Sequence, residues 1–487
     1  MLLRRFGQRM SWCAFGLNLF VLSTLSSRRL CAAVGVTAGA TATANGISNG
    51  VGGVGNGVNG VGAGADGAGV GVGRSSPLFQ AVYSAYPEGA SLLHPLTLSQ
   101  LELACNCSAL GGEGAHKRAQ FYDLHLPVYW YVSSLLSRHR KGKGGQGPLF
   151  VGISAPQGCG KTTLTSILTS MFEAQGLSCL SVSLDDFYLT GAQQEQLANK
   201  YAHNALLGVR GNAGTHDLQL AVGTLHKLRN LGEQGGEGGK STGAGVLIPR
   251  YDKSLRQGRG DRAEQGGQEV RGKVDIVLLE GWMLGFTPLD GIKTTTTTTV
   301  MRSKISVEGG GGGEGGMEEV EVEVEDAMKK NIHEVNNLLR PYEALNYMMD
   351  AWLLLALPLK SPTDATGADA TTGADAASYA ASRIDTQCVL RWRLQAEQRM
   401  RAGGRDGMSD SQVSDFVGRY LPAYHTYLPD LYEKGPQRGR ARAELGRGGS
   451  SGGSSSTSNS ASASAPLSPV LRVDVGADRQ PLGAKLL

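Results

Sequence analysis

The sequence predicts an α/β fold, a three-layer sandwich with a central parallel sheet and flanking helices, preceded by a small helical region and a disordered N-terminus. Three observations carry this expectation. Short continuous apolar runs recur at 149–153, 179–184, 274–279 and 352–357, the pattern of strands buried on both faces. Stretches with helix-like apolar spacing separate them, and such alternation implies parallel strands joined by crossover helices. Outside these runs the chain is rich in residues that cannot repay their ordering entropy: 71 of 487 residues are glycine, roughly double the usual share.

Taken in chain order, residues 1–73 hold Arg4, Arg5, Arg9, Arg28 and Arg29 but no acidic residue before Asp66. That is the composition of a transit peptide, followed by a Gly-rich tether. The apolar segment 12–25 admits a secretory signal or anchor as the competing reading, though Asn18 and Ser23 interrupt it and it is short for a bilayer. Residues 74–147 read as a helical region, in which Leu98, Leu101, Leu124, Tyr129, Val132 and Leu135 recur at helical intervals and Pro127 stands near a helix start. The core is expected at 148–435, interrupted by low-complexity inserts at 232–245, 294–330 and 361–382. In the second of these, the Glu-Val alternation at 319–325 reads as solvated disorder or an edge strand. A disordered linker, 436–465, leads to a C-terminal segment, 466–487, expected to return a strand to the core.

The charge balance, 47 basic against 43 acidic residues for a net +4, shows no concentrated basic stripe and argues against a nucleic-acid partner. Seven scattered cysteines make neither a disulfide scaffold nor paired CxxC zinc spacing. Stable membrane insertion is not expected, and a monomer is.

The chemistry concentrates after the first core strand. Ala155-Pro156-Gln157-Gly158-Cys159-Gly160-Lys161-Thr162 fits the [AG]-x4-G-K-[ST] form of a phosphate-binding loop between strand and helix. Main-chain N–H groups there would converge on phosphates at the positive end of the helix that follows. The expected nucleotide cradle is Ala155, Gly158, Cys159, Gly160, Lys161, Thr162 and Thr163, with Lys161 reaching the terminal phosphates and Thr162 holding Mg²⁺. Cys159, beside a helix N-terminus, is expected to have a lowered thiol pKa.

Two further strands deliver carboxylates to the sheet edge where open α/β folds bind ligands. Asp185 and Asp186 follow the second run, and Asp185 is the expected base toward an acceptor hydroxyl. Glu280 ends the third run beside Gly281 and suits a metal-assisting role, so the expected metal set is Thr162, Asp185 and Glu280. Around Cys388 to Arg401 the spacing predicts a helix. Its Arg391 and Arg393, with Arg399, are expected to close over the phosphates as a lid, with glycines at 403, 404 and 407 as hinge. No Asn-Lys-x-Asp segment is present, which disfavours a GTPase.

These segments together resemble the plant and algal D-glycerate 3-kinases, P-loop kinases related to phosphoribulokinase, uridine kinase and bacterial pantothenate kinase. The resemblance runs through Ser154 to Thr163, Leu184 to Tyr188, Arg210 to Asp217, Ile248 to Ser254, Leu279 to Phe286, Trp392 to Glu397, Met408 to Asp410 and Phe416 to Tyr424. It implies a P-loop NTPase-type fold using ATP and Mg²⁺, phosphorylation of D-glycerate to 3-phosphoglycerate, and a place in the chloroplast stroma in photorespiration. Asp185 aligns with the acidic residue of the related kinases' Asp-x-Phe segment. A small hydroxy acid needs cationic or N–H donors, for which Arg210, Arg250 and His216 are candidates. Asp186, Tyr188 and Tyr251 complete the expected acceptor site. The residues alone leave open a kinase for another small alcohol, such as a nucleoside, pantothenate or a sugar phosphate, and a non-catalytic nucleotide-binding regulator. Arg250 to Lys253, after an insert, reads as a mobile loop.

Overall fold

The computed structural model describes residues 76–89, 94–106, 112–142, 147–231, 245–290, 323–360, 384–404, 407–436 and 468–487. The expected leader and tether at 1–73 lie outside these residues, as do the insert at 361–382 and nearly all of the insert at 232–245 and the linker at 436–465.

The preface is helical: α1 (Pro77–Ala85), α2 (Pro95–Ala104), α3 (Gly112–Gln120) and α4 (Leu126–Lys141), the last entered through a π turn at Phe121–His125. Ser76 caps α1 by accepting a hydrogen bond from Phe79 N at 3.1 Å, which satisfies one of the orphan donors of a helix start. Pro127 stands in the first turn of α4, where its missing N–H costs nothing. Tyr131 ties this preface to the sheet, its hydroxyl donating to Pro469 O at 2.9 Å and Trp352 O at 3.1 Å.

Four apolar runs form β1 (Leu149–Ser154), β2 (Cys179–Ser183), β7 (Ile276–Gly281) and β8 (Ala351–Ala356). Apart from Ser181 and Ser183 of β2, which are half-buried, every residue in them is buried, as parallel strands covered on both faces require. β9 (Val470–Val475) joins in parallel beside β8, with Trp352 opposite Val470, and β10 (Pro481–Leu486) folds back antiparallel at the edge. The order is β10-β9-β8-β1-β7-β2, so the C-terminal segment returns to the core with two strands. From β1 the chain turns one way to β7 and β2 and the other way to β8. A ligand crevice opens at the C-terminal ends of strands at such a reversal. Helices flank the sheet, α5 (Lys161–Ala174) packing on β2 and β7 and α4 on β1.

The remaining elements are α6 (Gly191–Lys200), α7 (Leu218–Arg229), α8 (Glu323–Leu339), α9 (Glu343–Tyr347), α10 (Gln387–Ala402), α11 (Asp410–Gly418) and α12 (Leu421–Lys434). Two expectations need correction. The stretch expected to be a low-complexity loop through residue 330 is already helical from Glu323. The buried stripe Ile332, Val335 and Leu339 anchors that helix, and good helix formers extend it backward. The segment read as a mobile loop is folded: β3 (Val246–Ile248) pairs β6 (Gln268–Val270), and β4 (Tyr251–Asp252) pairs β5 (Asp261–Arg262). Tyr251 is buried there, and its side chain supplies the apolar anchor that the charged sequence around it hides. No helix among the described residues is long and apolar enough to cross a membrane.

Candidate active site

β1 runs into the loop 155–160, and Gly160 caps α5 with φ +103°, a left-handed conformation open to glycine at little cost. Gly158, at φ +81°, packs so closely on α10 that a Cβ there would lie 2.7 Å from Trp392 Cβ. Ala155 is buried, its N–H donating to Gly281 O at 3.3 Å across the strand ends. Lys161 Nζ donates to Pro156 O at 3.2 Å, folded back over the loop, while Gln157 N donates to the Tyr424 hydroxyl at 3.1 Å. Thr162 and Thr163 open the helix with exposed side chains. Cys159 is buried, and burial pushes its thiol up to about 11. This overturns the expected lowering: desolvation of a thiolate outweighs the cationic Lys161 and the helix end.

A cleft of about 330 Å³ opens above this loop. Gln157, Gly158, Lys161, Thr162, Asp185, Asp186, Tyr188, Arg210, Tyr251, Glu280 and Arg393 all line it. Asp185 and Asp186 sit in a tight turn, Leu184–Phe187, immediately after β2, where Ser183 Oγ accepts from Asp185 N at 3.3 Å. Asp186 Oδ1 accepts from Tyr251 N at 3.1 Å, holding β4 against the cleft. Burial raises the Asp186 carboxyl and this hydrogen bond lowers it, the balance lying above the usual range.

Asp185 and Glu280 are driven apart. Burial works against the Asp185 charge, but the Lys253 ammonium, 2.7 Å from Oδ2, and then Lys161 outweigh it and hold the carboxyl well below the ordinary carboxylate range. Glu280, buried at the end of β7, is pushed above that range by desolvation, with Lys161 opposing and the Asp185 charge reinforcing. Two neighbouring carboxylates separated in this way can take different roles.

Three expected residues stand elsewhere. Arg391 does not line the cleft and is held by Asp385 Oδ2 at 3.1 Å, because the helical turn sends residues 391 and 393 to different faces of α10. Arg250 is exposed and also lies off the cleft, one position out of the alternation that buries Tyr251. His216 is buried beneath the cleft wall, its ring stacked on Tyr188 at 4.3 Å and its Nδ1 2.7 Å from the Tyr342 hydroxyl. Burial lowers its pKa to about 4, so it is neutral.

The cleft also takes residues that lie in the segments carrying the family resemblance but were given no role from sequence: Lys253, Trp282, Phe416 and Tyr420. Lys253 lies two positions beyond Tyr251, so strand alternation placing Tyr251 at the site would have placed it too. Tyr420 donates to Arg210 O at 3.0 Å and packs edge-on against Trp282 at 5.0 Å. Nothing in its local spacing marks it.

No protein-family model matches the chain. The chain is 37% identical over 325 residues to a chloroplastic D-glycerate 3-kinase of Arabidopsis thaliana, covering 66% of this chain and 57% of that relative, so it spans less than two thirds of the relative's length. It is 31% identical over 316 residues to the probable ATP-dependent kinase TDA10 of Saccharomyces cerevisiae, covering 64% of this chain and 85% of that one. The chain belongs to this kinase family. A solved D-glycerate 3-kinase from Cryptococcus neoformans var. grubii superposes on the kinase with a TM-score of 0.50 at 26% identity, covering 75% of this chain and 99% of that structure. The P-loop, the parallel sheet and the carboxylates at its strand ends are therefore read as those of a small-molecule kinase.

Proposed function

We propose that this kinase transfers the γ-phosphoryl group of ATP to the 3-hydroxyl of D-glycerate, giving 3-phosphoglycerate and ADP. The observation that carries the reading is that P-loop Lys161, the Asp185–Lys253 pair and Arg210 line one small polar cleft. An anionic three-carbon acceptor matches its size and its cations. The relatives named D-glycerate 3-kinase support the choice of acceptor.

In this reading the loop amides and Lys161 bind the triphosphate. Arg210 and Lys253 neutralise and orient the acceptor carboxylate. Asp185, kept ionised, accepts a hydrogen bond from the 3-hydroxyl and takes its proton as the new O–P bond forms and the β,γ-bridging bond breaks, the electron pair leaving on ADP. Arg393, whose buried Nε lacks a partner in the described structure, donates to the transferring group. Trp282, Phe416 and Tyr420 wall the cleft against water.

Thr162, Asp185 and Glu280 fit a Mg²⁺ ion: the cleft brings together a hydroxyl and two carboxylates, one of them buried on a strand end. No group of three His, Cys, Asp or Glu residues is poised for a metal among the described residues. Mg²⁺ in phosphoryl-transfer sites commonly uses only one or two carboxylates besides phosphate and water. Bound there, it would neutralise charge on the β- and γ-phosphates.

Chloroplast localisation and a role in photorespiration belong to the same proposal. They are supported by the Arg-rich, acid-free first 65 residues and by the chloroplastic relative. The test is an ADP-release assay on the full chain with D-glycerate, L-glycerate, uridine and pantothenate offered in parallel. D-glycerate should drive release, and dependence on another acceptor would reassign the substrate.

A further inference from the structure

The tip of the C-terminal hairpin reaches the phosphate loop from 321 residues away. Arg479, in the turn between β9 and β10, donates from Nε to Gly158 O at 2.8 Å and from a terminal nitrogen to Gln395 Oε1 at 3.2 Å. Its guanidinium lies 5.4 Å from the centre of the Trp392 ring, and Trp392 Nε1 donates to Ala477 O, in the same turn, at 2.7 Å. Trp392 in turn is the residue packed on Gly158. The outer side of the loop is thus gripped jointly by the hairpin tip and α10.

The peptide geometry gives this grip a consequence. In a trans peptide the C=O and N–H point in opposite directions. With the Gly158 carbonyl drawn to Arg479, the Cys159 N–H of the same peptide points the opposite way, where its partner among the described residues is Pro156 O at a long 3.4 Å. An N–H with so weak a partner is available to a phosphate oxygen. Arg479 itself holds a left-handed backbone, φ +63°, a conformation that glycine or asparagine adopts more readily, so its side chain is what the position gains. The hydrogen bonds of its guanidinium go to neutral oxygens, Gly158 O and Gln395 Oε1. Its charge therefore adds to the positive field of the loop.

We infer that Arg479 is a positioning residue for nucleotide binding, orienting the Gly158–Cys159 peptide so that the loop presents its amide to the phosphates of ATP. The inference rests on the reading of this loop as the ATP cradle. The experiment compares MgADP binding by calorimetry and steady-state kinetics in the full-length wild type, Arg479→Lys, Arg479→Met and, as a hairpin control, Lys485→Ala. The Met variant should bind MgADP at least about tenfold more weakly, with KM for ATP raised in parallel and KM for the acceptor within about twofold. The Lys variant, which keeps the charge but loses Nε–H, should fall between. Lys485→Ala should match wild type. Wild-type protein that does not bind MgADP would overturn the cradle reading itself. Wild-type affinity in both Arg479 variants, or an equal loss in Lys485→Ala, would overturn the role of Arg479 while leaving the cradle standing.

Discussion

Lys253 Nζ lies 2.7 Å from Asp185 Oδ2 at the mouth of the cleft, joining the small β4–β5 ribbon to the end of β2. The pair explains how a carboxylate in a partly closed site stays ionised, and in the proposed reaction it links acceptor binding to the base, since an acceptor carboxylate would compete for the same ammonium.

Asp185→Asn would remove the proposed proton acceptor while preserving shape. It should lower kcat by roughly 10²-fold or more, with MgADP affinity within a few-fold of wild type. Single-turnover kinetics together with calorimetry separates the two effects, and unchanged turnover would remove Asp185 from the base role.

Lys253→Met leaves Asp185 buried without its ammonium. The carboxyl pKa must then rise, because burial alone pushes it up. The acid limb of kcat/KM should accordingly move to higher pH, with KM for the acceptor increased. A pH profile superposable on the wild type would contradict the coupling.

Arg393 and Arg391 occupy one helix but should behave differently. Arg393 lines the cleft and pairs with buried Glu397 at 2.5 Å, whereas Arg391 is bound to Asp385 outside it. Arg393→Ala should cost roughly 10²-fold in kcat, and Arg391→Ala should stay within about threefold. Comparable losses in the two variants would show that the helix acts as a whole instead of through Arg393.

His216 is neutral and buried, with a pKa lowered to about 4 by desolvation. A group with a depressed folded pKa favours the native state above its unfolded value near 6.5, and that contribution fades as pH falls toward 4. His216→Phe should flatten the fall in stability across that window, by up to about 3 kcal/mol. Urea unfolding at several pH values measures it.

Much of the sheet was legible because buried parallel strands write themselves as unbroken apolar runs, as in Ile276 to Leu279. The loop that starts α5 was legible for a similar reason: backbone approach to phosphate demands glycine at fixed offsets. Side-chain direction was less so. Arg391, Arg250 and His216 carry suitable chemistry, yet a rotation of two residues on a helix or one on a strand sends the side chain elsewhere. Tyr420, though within a family-like segment, and Arg479 gained no role from sequence because they reach the loop or cleft from elements distant in sequence, which only tertiary packing brings near.

The most direct measurement follows the phosphorus. Full-length kinase with Mg²⁺, D-glycerate and ATP labelled in its terminal phosphate should give 3-phosphoglycerate carrying the label, and Lys161→Ala should give none. Label remaining on ATP, or released only as inorganic phosphate, would contradict the account.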